Sequence, residues 1–281
     1  MMPLPDFVVA GFMKTGTTSI DAYLRQHPDL VLPYDRKETH FFEKEKNWSR
    51  GHDWYNSLYK KEGIRGEVCP GYAKRHCFSG VAARIKNKSP NAKIIFCVRN
   101  PVNRALSHYR HKLASGNEKR EPNAALCPTT DSGNHYLRCS EYAYQIRLYV
   151  DCFGKENIHV LTSKELRESP KEAINGIFNH IGASTIQVKS IERRHKSGQK
   201  RLPTWNWIYS PWKSSTSFGR TVEYVGKGLL PKRLYRKGPR IGNIEIPSLK
   251  RETRVAMKDY FREDVNRLSE MTGKDFDHWD I

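Results

Sequence analysis

Short apolar runs alternate along the chain with stretches whose apolar residues recur at helical spacing. The apolar runs are rich in Val, Ile, Leu and Phe, and they lie at residues 7–10, 30–32, 93–98 and 158–161. Runs of this kind are typical of strands that are buried on both faces. Helical spacing and helix-ending signals mark residues 20–27, 81–88, 101–113, 141–153 and 170–181. Strands separated by helices predict an α/β fold with a P-loop-like parallel central sheet flanked by helices.

Two segments interrupt this alternation. Residues 115–138 contain Gly and Pro with little periodicity, and we expect a surface loop or lid there. Residues 186–254 hold 17 Lys and Arg against 4 Glu and are divided by five prolines. Helical spacing returns at 249–271, which predicts a final amphipathic helix. We therefore expect one domain over residues 1–281, with a basic, irregular insert at 186–247.

The charge of the chain points to an anionic partner. Its 281 residues include 49 Lys and Arg and 30 Asp and Glu, which gives a formal net charge of +19. Nucleotides, nucleic acids, anionic glycans and acidic membrane surfaces are the partners that such a surplus attracts. The longest apolar runs are too short to span a bilayer, and no secretory signal is recognised. We therefore expect a cytoplasmic protein without a transmembrane segment.

The six cysteines form no Cys-x-x-Cys pair. This spacing argues against a zinc site, and an intracellular location favours free thiols. One disulfide, between Cys127 and Cys139, is worth testing because both residues fall in the predicted loop at 115–138.

Between the first predicted strand and the first predicted helix lies the sequence Gly11-Phe12-Met13-Lys14-Thr15-Gly16-Thr17-Thr18. Such a turn directs free N–H groups and the positive end of a helix dipole at one point, which suits an oxyanion. The spacing resembles a P-loop, but Thr17 stands where nucleotide hydrolases have their lysine, and the lysine comes earlier, at Lys14. No apolar strand ends in an Asp that would hold magnesium, so a metal-dependent nucleotide hydrolase fits poorly. A turn with only a structural role is the alternative.

A second cation follows the predicted strand at 93–98. Arg99 comes directly after this strand, and Ser107 lies eight residues further on, in the following helix. Ligands of open α/β sheets bind beyond the carboxyl ends of the strands, and an arginine with a hydroxyl suits a phosphate. The alternative is that Arg99 pairs with a carboxylate.

Together these motifs resemble those of the sulfotransferases that use 3′-phosphoadenosine 5′-phosphosulfate (PAPS). The loop matches their Lys-x-Gly-[Thr/Ser]-[Thr/Ser] pattern, and Arg99-Asn100-Pro101 with Ser107 matches their second pattern. Three further stretches resemble the heparan sulfate sulfotransferase-like branch: Lys37-Glu38-Thr39-His40-Phe41-Phe42, Gly51-His52-Asp53-Trp54-Tyr55 and Thr272-Gly273-Lys274-Asp275-Phe276. The resemblance covers nearly the whole chain and suggests a soluble relative of bacterial or viral origin.

The resemblance implies transfer of a sulfuryl group from PAPS to a hydroxyl or amine of a carbohydrate or small natural-product acceptor. The product would be 3′-phosphoadenosine 5′-phosphate (PAP). The residues implied for the 5′-phosphosulfate are Lys14, Thr15, Gly16, Thr17 and Thr18. Those implied for the 3′-phosphate are Arg99 and Ser107, with a late cofactor loop at Ser197, Gly198, Lys200 and Arg201. Glu38 is the implied base, His40 tunes or orients it, and Lys14 stabilises the leaving oxygen. A sulfuryl group carries less negative charge than a terminal phosphoryl group, so no metal is expected.

The chain departs from this branch at Val68, because the branch often has Glu-Lys-[Thr/Ser]-Pro where this sequence has Glu67-Val68-Cys69-Pro70. Loss of that lysine weakens the case for a highly anionic glycan acceptor, whereas the basic surplus favours one.

Two other functions stay open: a P-loop kinase-like phosphotransferase, which needs the lysine that Thr17 replaces, and a nucleic-acid or polyanion binding module. No nucleic-acid motif is recognised, so the expected partners are a nucleotide co-substrate and an acceptor, and no nucleic acid. The sequence does not predict the oligomeric state.

Overall fold

Five parallel strands form the central sheet of the computed structural model, which describes residues 5–129, 134–191 and 248–281. The strands are β1 Phe7–Gly11, β2 Leu30–Val31, β3 Ile64–Val68, β4 Lys93–Val98 and β5 Ile158–Thr162. Their order is β2-β3-β1-β4-β5, so β1 lies at the centre, and every pairing is parallel. The carboxyl ends therefore meet at one edge of the sheet, and the predicted α/β fold is confirmed.

Helices connect and flank the strands. In the described ranges they are α1 Thr17–Leu24, α2 Gly51–Asn56, α3 Val81–Lys88, α4 Pro101–Ala114, α5 Pro122–Leu126, α6 His135–Arg138, α7 Tyr142–Phe153, α8 Glu165–Glu168, α9 Pro170–Ile181 and α10 Arg251–Thr272. The predictions for α3, α4, α7, α9 and α10 are confirmed to within two residues. No helix in these ranges is long and apolar enough to cross a membrane.

The sheet separates two hydrophobic cores, because successive residues of a buried strand point to opposite faces. Val8 of β1 belongs to one core, together with side chains from α7 and α10. Val9 belongs to the other, together with side chains from α1 and α9. Both valines are fully buried, so β1 is covered on its two faces.

The sequence analysis did not predict β3, because Arg65, Gly66 and Glu67 interrupt its apolar residues. The strand is nevertheless buried from Arg65 onwards. Gly66 permits the pairing with β1, since a Cβ at this position would lie 2.0 Å from Cζ of Phe7. The strand therefore depends on its neighbours in the sheet, and its carboxyl end carries Glu67 into the interior.

The prediction of a surface loop or lid at 115–138 is wrong for part of that segment. It contains α5 and α6, and Leu126 and Leu137 are buried in the first core. The two helices have only five and four residues, which leaves too few apolar positions for a periodicity to be recognised. Cys127 and Cys139 are free thiols in the structure, so the disulfide considered between them is not formed.

Candidate active site

Hydrogen bonds from neighbouring elements hold the loop between β1 and α1 in place. The Phe12 N–H donates to the carbonyl of Cys97 in β4 at 3.1 Å, and the Thr15 hydroxyl donates to the Phe12 carbonyl at 2.7 Å. The buried Arg104 side chain donates through Nε to the Met13 carbonyl at 3.1 Å. Two carbonyls of the loop are thus paired within the protein, and the loop has a defined shape before a ligand binds.

The amides at the start of α1 have the arrangement that an anion-binding site requires. The N–H groups of Thr15, Gly16, Thr17 and Thr18 donate to no acceptor in the part of the chain that the structure describes. Gly16 caps α1 with a left-handed φ of 118°, which glycine adopts at low cost, and Lys14 in the same loop has a φ of 76°. The first turn of α1 has no acidic side chain to repel a bound anion from the positive end of the helix dipole. The loop therefore fits a phosphate or sulfate group.

Lys37 lies between this loop and Glu38, the predicted base. Its Nζ donates to the Thr17 hydroxyl at 3.2 Å and lies 3.5 Å from the Thr18 hydroxyl. The same Nζ is 3.4 Å from Oε1 of Glu38. One ammonium group is therefore adjacent to both the anion-binding loop and the predicted base. Sequence reasoning assigned Lys37 no role, although it is the first residue of the motif that contains Glu38.

Glu38 and His40 lie side by side, and two charged side chains support the histidine. Oε2 of Glu38 lies 3.5 Å from Nε2 of His40, and Nδ1 of His40 lies 2.9 Å from Oε1 of Glu43. Lys46 forms an ion pair with the other oxygen of Glu43 at 2.6 Å. Burial by itself raises the pKa of Glu43, but the hydrogen bonds from His40 and Lys46 outweigh burial and lower it below its usual value. Glu43 is therefore an anion that orients the His40 ring towards Glu38.

A buried carboxyl group lies beneath the segment that carries the predicted base. Glu67, near the end of β3, accepts a hydrogen bond from the Thr39 hydroxyl, and the hydroxyls of Tyr55 and Tyr72 donate to it at 3.0 and 3.2 Å. Burial raises the pKa of Glu67 to about 7, although these hydrogen bonds oppose the rise. Thr39 lies between the predicted base and its histidine in the chain, so Glu67 anchors that segment from below.

Arg99 lies directly after the carboxyl end of β4 and has no carboxylate partner among the described residues. Burial, with Arg167 and Arg110 nearby, lowers the pKa of its guanidinium. Ser107 lies on α4 and is buried. The alternative in which Arg99 pairs with a carboxylate is therefore not observed within residues 5–129, 134–191 and 248–281. The residues predicted for the late cofactor loop lie outside the described residues: Ser197, Gly198, Lys200 and Arg201.

The fold and the site together define a class of protein: an α/β enzyme with an anion-binding turn after its central strand and a carboxylate–histidine pair beside that turn. Comparison with known proteins identifies the family. Residues 4–218 match the model of the sulfotransferase domain. The chain therefore belongs to the sulfotransferase family and is a transferase.

Curated relatives confirm the resemblance to the heparan sulfate sulfotransferase-like branch. The chain is 26% identical over 288 residues to the mouse heparan sulfate glucosamine 3-O-sulfotransferase 3A1, covering 99% of this chain and 65% of that enzyme. It is also 26% identical over 288 residues to the mouse bifunctional heparan sulfate N-deacetylase/N-sulfotransferase 1, covering 96% of this chain and 30% of that enzyme. The chain thus spans less than two thirds of the length of either relative.

A solved structure confirms the fold independently. The sulfotransferase from Alicyclobacillus acidocaldarius matches the chain with a TM-score of 0.71 over 100% of both chains, at 23% sequence identity.

Proposed function

We propose that this sulfotransferase transfers a sulfuryl group from PAPS to a hydroxyl or amine of a carbohydrate or small-molecule acceptor. The observation that carries the proposal is the position of Lys37, whose Nζ lies within 3.5 Å of both the Thr18 hydroxyl and the Glu38 carboxylate. An anion-binding loop and a candidate base therefore lie on two sides of one ammonium group. Group transfer needs the donor and the acceptor to be held next to each other in the correct orientation. The loop would hold the donor, and the base would lie beside the acceptor.

The phosphosulfate of PAPS would be bound by the loop at residues 14–18. The N–H groups of Thr15 to Thr18 and the dipole of α1 suit its charged oxygens. As the donor bond breaks, negative charge develops on the oxygen that bridges phosphorus and sulfur. Lys14 and Lys37 are the cations that would neutralise this charge, so the proposed mechanism includes no catalytic metal.

The 3′-phosphate of PAPS would be bound by Arg99 and Ser107. The guanidinium of Arg99 is not engaged by a carboxylate within the described ranges, so its charge is left to attract an anion. A half-buried cation and a buried hydroxyl make a stronger phosphate site than fully exposed ones would, because water competes less. The late loop would complete the nucleotide site with Ser197, Gly198, Lys200 and Arg201.

Glu38 would accept the proton of the acceptor while the acceptor atom bonds to sulfur. The bond between sulfur and the bridging oxygen breaks in the same step, and PAP leaves with the electron pair. His40 lies 3.5 Å from Glu38 and would orient the carboxylate and share the proton. Because Glu43 is an anion in hydrogen-bond contact with His40, it stabilises the imidazolium that forms.

The acceptor class is proposed from the relatives and from Val68. The names of the two mouse relatives specify heparan sulfate, which favours a carbohydrate acceptor for this chain as well. Val68 stands where the branch often has a lysine, and it is fully buried, so this position offers no cation to an anionic acceptor. Small-molecule acceptors with less negative charge are therefore part of the proposal.

Calorimetry with PAPS and PAP tests the donor site in the full chain. Both nucleotides should bind at one site, and Lys14→Ala should weaken the binding of PAPS. The absence of heat from either nucleotide, in protein shown to be folded, would refute the donor assignment.

Incubation with labelled PAPS and a panel of amine and hydroxyl acceptors tests the transfer. A mass gain of one sulfuryl group identifies the acceptor. If the nucleotides bind but no acceptor gains mass, while polyanions bind with a steep dependence on salt, the chain acts as a polyanion binding module instead.

A further inference from the structure

Two histidines and two cysteines that the proposed reaction does not use converge on one point. They are His76, Cys77, His135 and Cys139, which we call the His–Cys cluster. His76 and Cys77 are adjacent in the chain, whereas His135 and Cys139 lie one helical turn apart at α6. Each short segment therefore supplies two ligand atoms.

Four distances between these ligand atoms are close to those of a tetrahedral metal site. Nε2 of His76 lies 3.0 Å from Nδ1 of His135, and Sγ of Cys77 lies 3.6 Å from the same Nδ1. Sγ of Cys139 lies 3.6 Å from Nε2 of His76 and 3.9 Å from Nδ1 of His135. Zinc bonds of about 2.0 Å to nitrogen and about 2.3 Å to sulfur, at tetrahedral angles, place such ligand atoms about 3.3–3.8 Å apart. The four observed distances differ from the corresponding tetrahedral values by about 0.4 Å or less.

Neighbouring side chains hold the cluster in position. The side-chain amide of Gln145 lies 3.3 Å from Nδ1 of His76. Asn134 caps α6 by accepting a hydrogen bond from the Tyr136 N–H at 2.9 Å, which sets the start of the helix that carries His135. Metal ligands in proteins are commonly oriented by a second layer of polar contacts of this kind.

An unsatisfied histidine nitrogen beside the cluster provides a second observation. His108 is fully buried, and its Nδ1 accepts a hydrogen bond from Arg104 at 3.2 Å. Its Nε2 has no hydrogen-bond partner among the described residues. Ligand atoms of His108, His135 and Cys139 lie within 4.8 Å of one another. Because Nδ1 accepts from Arg104, Nε2 carries the ring proton and needs an acceptor. A buried donor without a partner lowers stability, and the thiolate that Cys139 presents when an ion is bound would place an acceptor close to this N–H group.

The charge and chemistry of the ligands indicate which ion fits. Two thiolates and two neutral imidazoles carry two negative charges, which a divalent cation cancels. The cluster with its ion bound is then neutral. It therefore adds no net positive charge close to Lys74 and Arg138. Sulfur and imidazole ligands in a tetrahedral array favour Zn²⁺ over Mg²⁺ or Ca²⁺, which prefer oxygen.

We propose that the His–Cys cluster binds one Zn²⁺ ion through Nε2 of His76, Nδ1 of His135 and the thiolates of Cys77 and Cys139. The two thiols release their protons to solvent as the ion binds. Because four protein ligands complete the tetrahedron, the site is structural rather than catalytic. The ion links α6 to the segment after the turn Pro70–Ala73. The absence of a Cys-x-x-Cys pair argued against zinc, but this cluster uses a His-Cys pair and a His-x-x-x-Cys pair from distant segments.

Cobalt titration of the reduced, full-length protein tests the proposal, because Co²⁺ replaces Zn²⁺ and its absorption reports the ligands. We expect saturation at one equivalent, a charge-transfer band with the intensity of two thiolate bonds, and the strong visible bands of tetrahedral cobalt. Addition of Zn²⁺ should abolish all of these bands. Elemental analysis of protein from zinc-supplemented cultures should find about one zinc per chain.

Cys77→Ser is the informative variant, because Cys77 is exposed and its loss should not prevent folding. It should halve the charge-transfer band per bound cobalt and weaken metal binding by about tenfold or more. Cys152→Ser is the matched control, since Cys152 is another partly accessible thiol outside the cluster, and its spectrum should equal that of the parent.

Thermal unfolding supplies a second readout. At the same concentration, Zn²⁺ should raise the unfolding midpoint of the parent more than that of Cys77→Ser, because the variant binds the ion more weakly. The proposal is overturned if the reduced, folded parent shows no charge-transfer band, or if Cys77→Ser retains the full band. An equal rise of the midpoint in both proteins would also overturn it, because the metal would then bind elsewhere.

Discussion

Lys37 lies between the loop after β1 and the proposed base, since its ammonium group contacts Thr17 and lies beside Glu38. We expect Lys37→Ala to lower turnover by about 100- to 1,000-fold, which is typical for loss of one preorganised group that stabilises a leaving oxygen. Steady-state kinetics at saturating acceptor measures the effect. Lys44→Ala, which removes an exposed lysine of the same segment, should retain the turnover of the parent. Equal losses in the two variants would contradict the role of Lys37.

Glu38 can be tested by a change that keeps its shape and removes its basicity. Glu38→Gln should lower turnover by about 100- to 10,000-fold, because the acceptor proton no longer has a base. The dissociation constant of PAP, measured by calorimetry, should stay unchanged. Glu45→Gln alters an exposed carboxylate nearby and serves as the control. A Glu38→Gln enzyme with normal turnover would exclude Glu38 from the proton transfer.

Glu67 makes the stability of the protein depend on pH. Burial raises its pKa from 4.5 to about 7, so between these values the folded chain binds a proton more tightly than the unfolded chain. The contribution of Glu67 to the free energy of unfolding therefore falls as pH rises through this window, by about 3 kcal/mol in total.

Glu67→Gln removes this titration. Urea denaturation measures the free energy of unfolding of the parent and of the variant at pH 5 and at pH 8. Between these two pH values the variant should lose less stability than the parent, by about 2.5 kcal/mol. The comparison uses the difference between pH values, so a uniform change in stability caused by the amide does not affect it. If the variant and the parent lose the same amount, the carboxyl group of Glu67 does not titrate in this range.

Among the elements, β3 depends most on close packing with its neighbour. Gly66→Ala would place a Cβ 2.0 Å from Cζ of the buried Phe7 and should lower the free energy of unfolding by about 1–3 kcal/mol or more. Gly176→Ala in α9 is the matched control, since its Cβ would come no closer than 3.6 Å to His159 and alanine favours a helix. Urea denaturation measures both. An unaffected Gly66→Ala protein would show that the pairing of β1 with β3 is looser than described.

For the whole molecule, nucleotide binding should couple the loop after β1 to the end of β4. A PAP concentration of about 100 times its dissociation constant should raise the free energy of unfolding by about 2.7 kcal/mol. AMP, which lacks the 3′-phosphate, should stabilise the protein less at the same concentration, and Arg99→Ala should remove this difference. Equal stabilisation by PAP and AMP in the parent would show that Arg99 and Ser107 do not bind the 3′-phosphate.

Predictions from the sequence succeeded where the signal was local. The apolar run at 93–98 and Pro101 after it correctly indicated β4 and the start of α4. The Gly- and Thr-rich stretch correctly indicated a turn between β1 and α1. In each case a few consecutive residues indicate the backbone conformation or the burial of the element. The residues that pack against it in the folded chain need not be known.

Prediction failed where the determining contacts join distant segments. Nothing in the sequence around 64–68 indicates a strand, because β3 is stabilised by pairing with β1 and β2 and is interrupted by polar residues. Residues 115–138 lack periodicity because their two helices are short, yet both pack into the core.

The sequence by itself determined the alternation of strands and helices, the turn between β1 and α1 and the family to which the chain belongs, since each of these is recorded in contiguous motifs. Only the tertiary structure decided that Lys37 lies between the loop and Glu38, that Glu67 is buried beneath Thr39, and that the His–Cys cluster exists. The physical reason is that these arrangements consist of side-chain distances of a few ångströms between segments that meet only when the sheet and its helices have packed.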